Sequence, residues 1–153
     1  MKLKKGDLAP QFNLSDQHNK EFKLGKFKGK KILLSFHPLA WTSVCKKQMR
    51  SMEENYHTFT EFNTIPVGIS VDSVPCKYAW AKSIGLKHLK ILSDFWPHGE
   101  VAKSYDIFRK VEGFSERANI LVSESGVVGF IKIYNLPELP NIKEILEFLA
   151  QRG

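Results

Sequence analysis

Lys31-Ile32-Leu33-Leu34-Ser35-Phe36, an apolar run bounded by Gly29 and Pro38, reads as a buried central strand. Beyond it, Thr42 and Ser43 are candidate N-caps of a helix reaching about Phe62, with Val44, Met49, Met52, Tyr56 and Phe59 as its inner stripe. Ile65-Pro66-Val67-Gly68-Ile69-Ser70-Val71 then reads as a second buried strand. Such a strand-helix-strand unit crosses over right-handedly in nearly all cases, and its two strands are parallel.

Outward from this unit, Phe12-Asn13-Leu14 and Phe22-Lys23-Leu24, joined by polar Asp16-Gln17-His18-Asn19, predict a small N-terminal hairpin. A helix is expected from Pro75 through Trp80 to about Ile84, ending at Gly85. After Ile91-Leu92 a short helix is expected over His98 to Tyr105. Ile120-Leu121-Val122 and Val127 to Ile133 flank Ser123-Glu124-Ser125-Gly126, a hairpin signal, and Ile142, Ile145, Leu146 and Leu149 stand at the spacing of an amphipathic helix. The pattern is that of a thioredoxin-like α/β fold: a central mixed sheet flanked by helices, with an N-terminal β-hairpin.

The 153 residues suit one domain over 1–153, and 42% hydrophobic with 25% charged residues is a globular mixture that folds without a partner. Met1 to Asp7 has positive charge without an apolar stretch behind it. No later run approaches the roughly 18 apolar residues of a membrane helix, so no membrane partner and a cytoplasmic location are expected. Two cysteines in this context point to reactive thiols rather than a disulfide framework. The net charge of +7 is spread through the chain in alternation with apolar residues, so nucleic acid is not expected as a partner, and the charge serves solubility or attracts anions. Five scattered histidines without ligand spacing and the lack of a Gly-rich phosphate loop give no reason to expect a metal or a cofactor.

The chemistry gathers at Cys45. It falls in the first turn of the helix after the first long strand, where unpaired backbone N–H groups and the positive dipole end favour an anion. Thiols so placed ionise more readily than free cysteine and act as nucleophiles. Pro38, Thr42 and Cys45 form a P-x-x-x-T-x-x-C pattern that chance gives a cysteine only once in roughly several hundred cases. Pro38 would stiffen the turn and shield the sulfur, and Thr42 could donate its hydroxyl to the sulfur or to a peroxide oxygen. The competing reading is an inert buried cysteine with Thr42 as a plain helix cap.

Phe36-His37-Pro38-Leu39-Ala40-Trp41-Thr42-Ser43-Val44-Cys45 resembles the active-site segment of the peroxiredoxins, and Gly6-Asp7-Leu8-Ala9-Pro10-Gln11-Phe12-Asn13-Leu14 is similar to their N-terminal signature. Ser93 to Val101 and Glu116-Arg117-Ala118 resemble later segments of the alkyl-hydroperoxide-reductase E type. The resemblance implies a cofactor-free peroxidase in which the thiolate of Cys45 takes oxygen from a hydroperoxide, becoming a sulfenic acid. It also implies that Arg117 orients the peroxide. If the strand that Arg117 precedes runs antiparallel to the first two, its beginning lies at their carboxyl edge beside Cys45. Three positions depart from the family's pattern. Gln48 stands where many members have glutamate, and His37 and Trp41 replace other aromatics; His37 is read as a packing residue that could also tune the site.

Cys76 follows the second parallel strand and opens a helix, so it shares the sheet edge of Cys45. Atypical two-Cys members of the family place a resolving cysteine there, about 31 residues on, and so imply an intramolecular disulfide. The E type implies a one-Cys cycle instead, with Cys76 an incidental residue under Trp80 and an external thiol attacking Cys45. A disulfide needs Cα atoms about 4.4 to 6.8 Å apart, so resolution is expected to unwind one or both helices locally. The reductant would be thioredoxin, a glutaredoxin-like protein or a small thiol, and the resemblance implies a homodimer to which Phe95 and Trp96 contribute. A thiol-disulfide oxidoreductase would need a second cysteine three residues past Cys45, in C-x-x-C, but Cys45 is followed by Lys46, Lys47 and Gln48. A binding module on the same fold is the non-enzymatic alternative.

Overall fold

The structure is a computed structural model that describes residues 2–152. β3 (Lys31–Phe36) and β4 (Thr64–Ser70) pair in parallel from Lys31↔Thr64 to Phe36↔Ile69. The chain between them folds as α1 (Ser43–Glu54) and α2 (Tyr56–Glu61). The expected single helix is interrupted at Asn55, whose side-chain amide donates to the Ser51 carbonyl at 2.7 Å and so competes with the helical ladder.

β1 (Asn13–Ser15) and β2 (Glu21–Lys23) form the expected hairpin, with Leu14 opposite Phe22. α3 (Val74–Ser83) follows β4, capped by the Ser73 hydroxyl, and it leaves the helical path at Gly85, where φ is +73°. β5 (Lys90–Ser93) is a third parallel strand with Ile91 opposite Gly68. Four residues give too little periodicity to announce it from sequence.

α4 (Glu100–Ser104) is shorter than expected because Gly99 is left-handed at +69° and the Asp94 carboxylate takes the N–H groups of Val101 and Ala102 at 3.0 and 2.9 Å. A small hairpin, β6 (Phe108–Arg109) with β7 (Phe114–Ser115), was not anticipated. β8 (Arg117–Val122) and β9 (Val128–Tyr134) form the expected antiparallel hairpin, and α5 (Ile142–Arg152) closes the described chain.

Seven strands make one mixed sheet in the order β2-β1-β5-β4-β3-β8-β9. Alternation along β3 assigns its two faces. Ile32, Leu34 and Phe36 pack with α4 and the N-terminal hairpin, whereas Leu33 packs with α1, α2, α3 and α5. Ser35 faces the second side among apolar neighbours, and this polar position beneath α1 is the first structural mark of the site.

Candidate active site

Because β3 and β4 are adjacent and parallel, α1 and α3 both start at their carboxyl edge. Cys45 and Cys76 are each the third residue of their helix, so both lie where backbone N–H groups lack helical partners. Cys45 is fully buried, Cys76 is half-buried, and both are free thiols. β8 runs antiparallel to β3 with Ala118 opposite Phe36, which brings Arg117 to the same edge as the sequence reading expected.

Arg117 Nη1 donates to Cys45 Sγ at 3.2 Å and to Gln48 Oε1 at 2.8 Å, while Nε donates to the Leu136 carbonyl at 2.8 Å. The side chain is only 4% exposed. Among the described residues no carboxylate lies within ion-pair distance of it. A buried cation is costly unless an anion compensates it. Among the described residues the titratable side chain hydrogen-bonded to the guanidinium is that of Cys45.

Gln48 carries this geometry into the sheet. Its amide donates to Ser35 Oγ at 2.6 Å and to the Phe36 carbonyl at 3.2 Å, and Ser35 donates to Asn119 Oδ1 at 2.7 Å. The chain Asn119, Ser35, Gln48, Arg117 thus ties β8, β3 and α1 together under the sulfur. The sequence reading questioned the role of Gln48 as a charge. In the structure it is a neutral strut, buried on the same helical face as Cys45, three residues away. Neither Ser35 nor Asn119 was singled out from the sequence; a polar residue inside each of two apolar strand runs was the available signal.

Thr42 occupies the N-cap position of α1, but its hydroxyl makes no capping bond and instead donates to the Leu39 carbonyl at 2.8 Å. The expected donation to the sulfur is therefore corrected: the proton is used to close the loop, and the oxygen keeps its lone pairs. Pro38 is buried in the bend that follows β3. Trp41, 57% exposed, has φ at +69°, a conformation that non-glycine residues rarely adopt outside functional or tightly constrained turns. Asp72, which the sequence reading missed, holds this loop by accepting from the Ala40 N–H at 2.8 Å and from the Ser70 hydroxyl at 2.6 Å. A cleft of about 290 Å³ reaches Thr42 between Trp41, Lys46 and Trp80.

Cys76 Sγ lies 3.8 Å from Asp72 Oδ1. Burial, and then the Asp72 charge, push its thiol up, against a weaker pull from the Trp41 side chain. Below the loop, His37 is fully buried against Trp80 and 3.2 Å from the Nζ of Lys77. The packing role expected for His37 holds, yet its partner is a buried lysine that the sequence reading did not single out. Lys77 precedes Trp80 by one helical turn, and that spacing was the clue to its inward direction.

Residues 5–131 match the AhpC/TSA family. The chain belongs to the peroxiredoxins. It is 33% identical over 132 residues to alkyl hydroperoxide reductase E of Mycobacterium tuberculosis, covering 86% of each chain, and 32% identical over 154 residues to peroxiredoxin-1 of Gekko japonicus, covering 94% of this chain and 76% of that one. The reduced 2-Cys peroxiredoxin of Plasmodium vivax superposes with a TM-score of 0.88 at 30% identity, over 95% of this chain and 79% of the other. The fold of this peroxiredoxin is thus thioredoxin-like, as expected, and its likeness to the E type agrees with the resemblance read from residues 93–101 and 116–118. Peroxiredoxins are thiol-dependent peroxidases, oxidoreductases that act on hydroperoxides and are restored by thiol reductants.

Proposed function

We propose that Cys45 is the peroxidatic nucleophile of this peroxiredoxin and that Arg117, Thr42 and Pro38 complete its site. The thiolate attacks one peroxide oxygen: the S–O bond forms, the O–O bond breaks, the sulfur gives up two electrons, the attacked oxygen keeps its proton, and one proton from water goes to the leaving oxygen. The products are Cys45 sulfenic acid and water or an alcohol. Arg117 faces the sulfur and would hold the negative charge as it passes to oxygen. Thr42 Oγ1, its proton engaged with Leu39, can accept from the peroxide O–H. Pro38 rigidifies the bend.

The observation that carries this reading is the buried Arg117 guanidinium, 3.2 Å from Cys45 Sγ and without a carboxylate partner among the described residues. Stopped-flow mixing of the reduced protein with hydrogen peroxide and with an organic hydroperoxide tests it. Oxidation of Cys45 should far outpace that of free cysteine and vanish in Cys45→Ser. A rate equal to free cysteine, unchanged by the substitution, would indicate a binding module instead.

The sulfenic acid is resolved by Cys76 as an intramolecular disulfide, which a thioredoxin-like reductant then opens. Support comes from the shared sheet edge of the two cysteines. One observation favours the alternative of direct attack by an external thiol: as packed, Cys76 is held protonated by burial and by Asp72. Mass spectrometry after one equivalent of peroxide separates them, since a bridge between residues 45 and 76 appears in the first case and a sulfenic acid with free Cys76 in the second. Assembly as a homodimer is supported by exposed aromatics just after β5, Phe95 at 51% and Trp96 at 81%. Light scattering on Trp96→Glu should report monomers if that face is the contact.

A further inference from the structure

A resolving thiol must lose its proton to attack, yet Cys76 sits where burial and the Asp72 charge keep it protonated. Asp72 itself is placed to remove that proton. It stands in the bend between β4 and α3, half-buried and four residues before Cys76. Its two oxygens have separate partners. Oδ2 accepts from the Ala40 N–H at 2.8 Å and from the Ser70 hydroxyl at 2.6 Å, which seats the carboxylate between the loop after β3 and the end of β4. Oδ1 accepts from the Cys76 thiol, with Sγ at 3.8 Å. Among the described residues no lysine, arginine or histidine comes within ion-pair distance of Asp72. Lys77 of α3 is the charged group that faces both members of the pair, and the Trp41 side chain reaches the sulfur from the loop.

We propose that Asp72 is the general base of the resolving step: Oδ1 takes the Cys76 proton as Sγ attacks the sulfur of the Cys45 sulfenic acid, and it passes that proton to the departing hydroxyl. This step rests on the reading of Cys76 as the resolving thiol. The S–S bond forms and the S–O bond breaks, its electron pair leaving with the oxygen. Hydroxyl and proton depart as one water. The Cys45 sulfur is reduced as the Cys76 sulfur is oxidised, so no further oxidant or reductant enters, and Asp72 ends the step ionised as it began. The same contact also explains why a second thiol near the site is not spent on peroxide. Cys76 stays a thiol, a poor nucleophile, until an electrophilic sulfur meets it and the base takes the proton in the same event. Through Oδ2 the carboxylate meanwhile anchors the loop that carries Thr42, so one side chain serves both halves of the cycle.

Rapid mixing with one equivalent of hydrogen peroxide, acid quenching and mass spectrometry follow both steps in one sample: loss of the Cys45 thiol, then growth of the bridge between residues 45 and 76. In the native chain the second rate should stay level between about pH 6 and 8, because the proton is taken within the pair. Asp72→Asn keeps an acceptor for the Ala40 N–H but has no base. Its bridge should form about 10²-fold more slowly at pH 7, and the rate should climb about tenfold for each pH unit as the thiolate has to form in water. A native rate that itself climbs tenfold per unit over this range overturns the proposal without requiring any variant to fold. So does an Asp72→Asn chain that slows both steps equally and keeps a level pH profile, the mark of a carboxylate that only holds the loop. If the native chain forms no bridge at all, the reading of Cys76 fails and takes this step with it, whereas a bridge that forms at the native rate in Asp72→Asn removes the base alone.

Discussion

Arg117 touches the sulfur of Cys45 at 3.2 Å with both side chains closed off from solvent. In that setting a guanidinium serves the developing negative charge more strongly than it would in water. Arg117→Met should slow peroxide reduction by about 10² to 10³-fold, the usual loss on removing one such donor. Arg117→Lys should recover only part of it, because a single ammonium cannot reach the sulfur, Gln48 and Leu136 together. Stopped-flow rates of the reduced variants check both outcomes.

Gln48 accepts from Arg117 and donates to Ser35 and Phe36. Gln48→Leu takes one hydrogen-bond partner from each of those buried groups, which should lower stability by about 1–3 kcal/mol and slow the peroxide reaction through a misplaced Arg117. Urea unfolding and stopped-flow kinetics on the same variant read the two effects.

A Cβ at Gly68 would collide with Met49 Sδ and lie 3.2 Å from His37 Cε1. Gly68→Ala should therefore destabilise by roughly 1–3 kcal/mol through overpacking beneath the site. Thermal unfolding against the native chain measures it.

Glu53 gathers the N–H groups of Lys87, His88 and Leu89. Burial pushes its carboxyl up, but these bonds, with that from the His88 ring, outweigh burial and bring it below 4.5. The unfolded state then binds more protons as pH falls through this range, so the contribution is complete above about 4.5 and disappears below the folded value. Glu53→Gln should cost stability at pH 7, and its unfolding midpoint should converge on that of the native chain as the pH drops below 4.5.

Lys77 has the opposite consequence. Burial lowers it from 10.5 to about 7, so between those values the unfolded chain holds a proton that the folded chain does not. Stability therefore rises with pH across that window, and the cost of burial is greatest below 7. Lys77→Met should stabilise the reduced protein most at pH 6, with the gain shrinking toward pH 10. Urea titrations at a series of pH values show the trend.

The amino-acid sequence by itself determined the strand-helix-strand unit, both hairpins, the place of Cys45 in a first helical turn and the candidacy of Arg117. Each rests on local periodicity, turn chemistry or a motif within a few residues. Tertiary structure alone decided that Thr42 spends its proton on Leu39, that Gln48 braces Arg117 through Ser35 and Asn119, and that His37 meets Lys77 across 40 positions of chain. Those pairings depend on sheet register and on which helix face turns inward, and such relations between distant segments exist only after the core has closed.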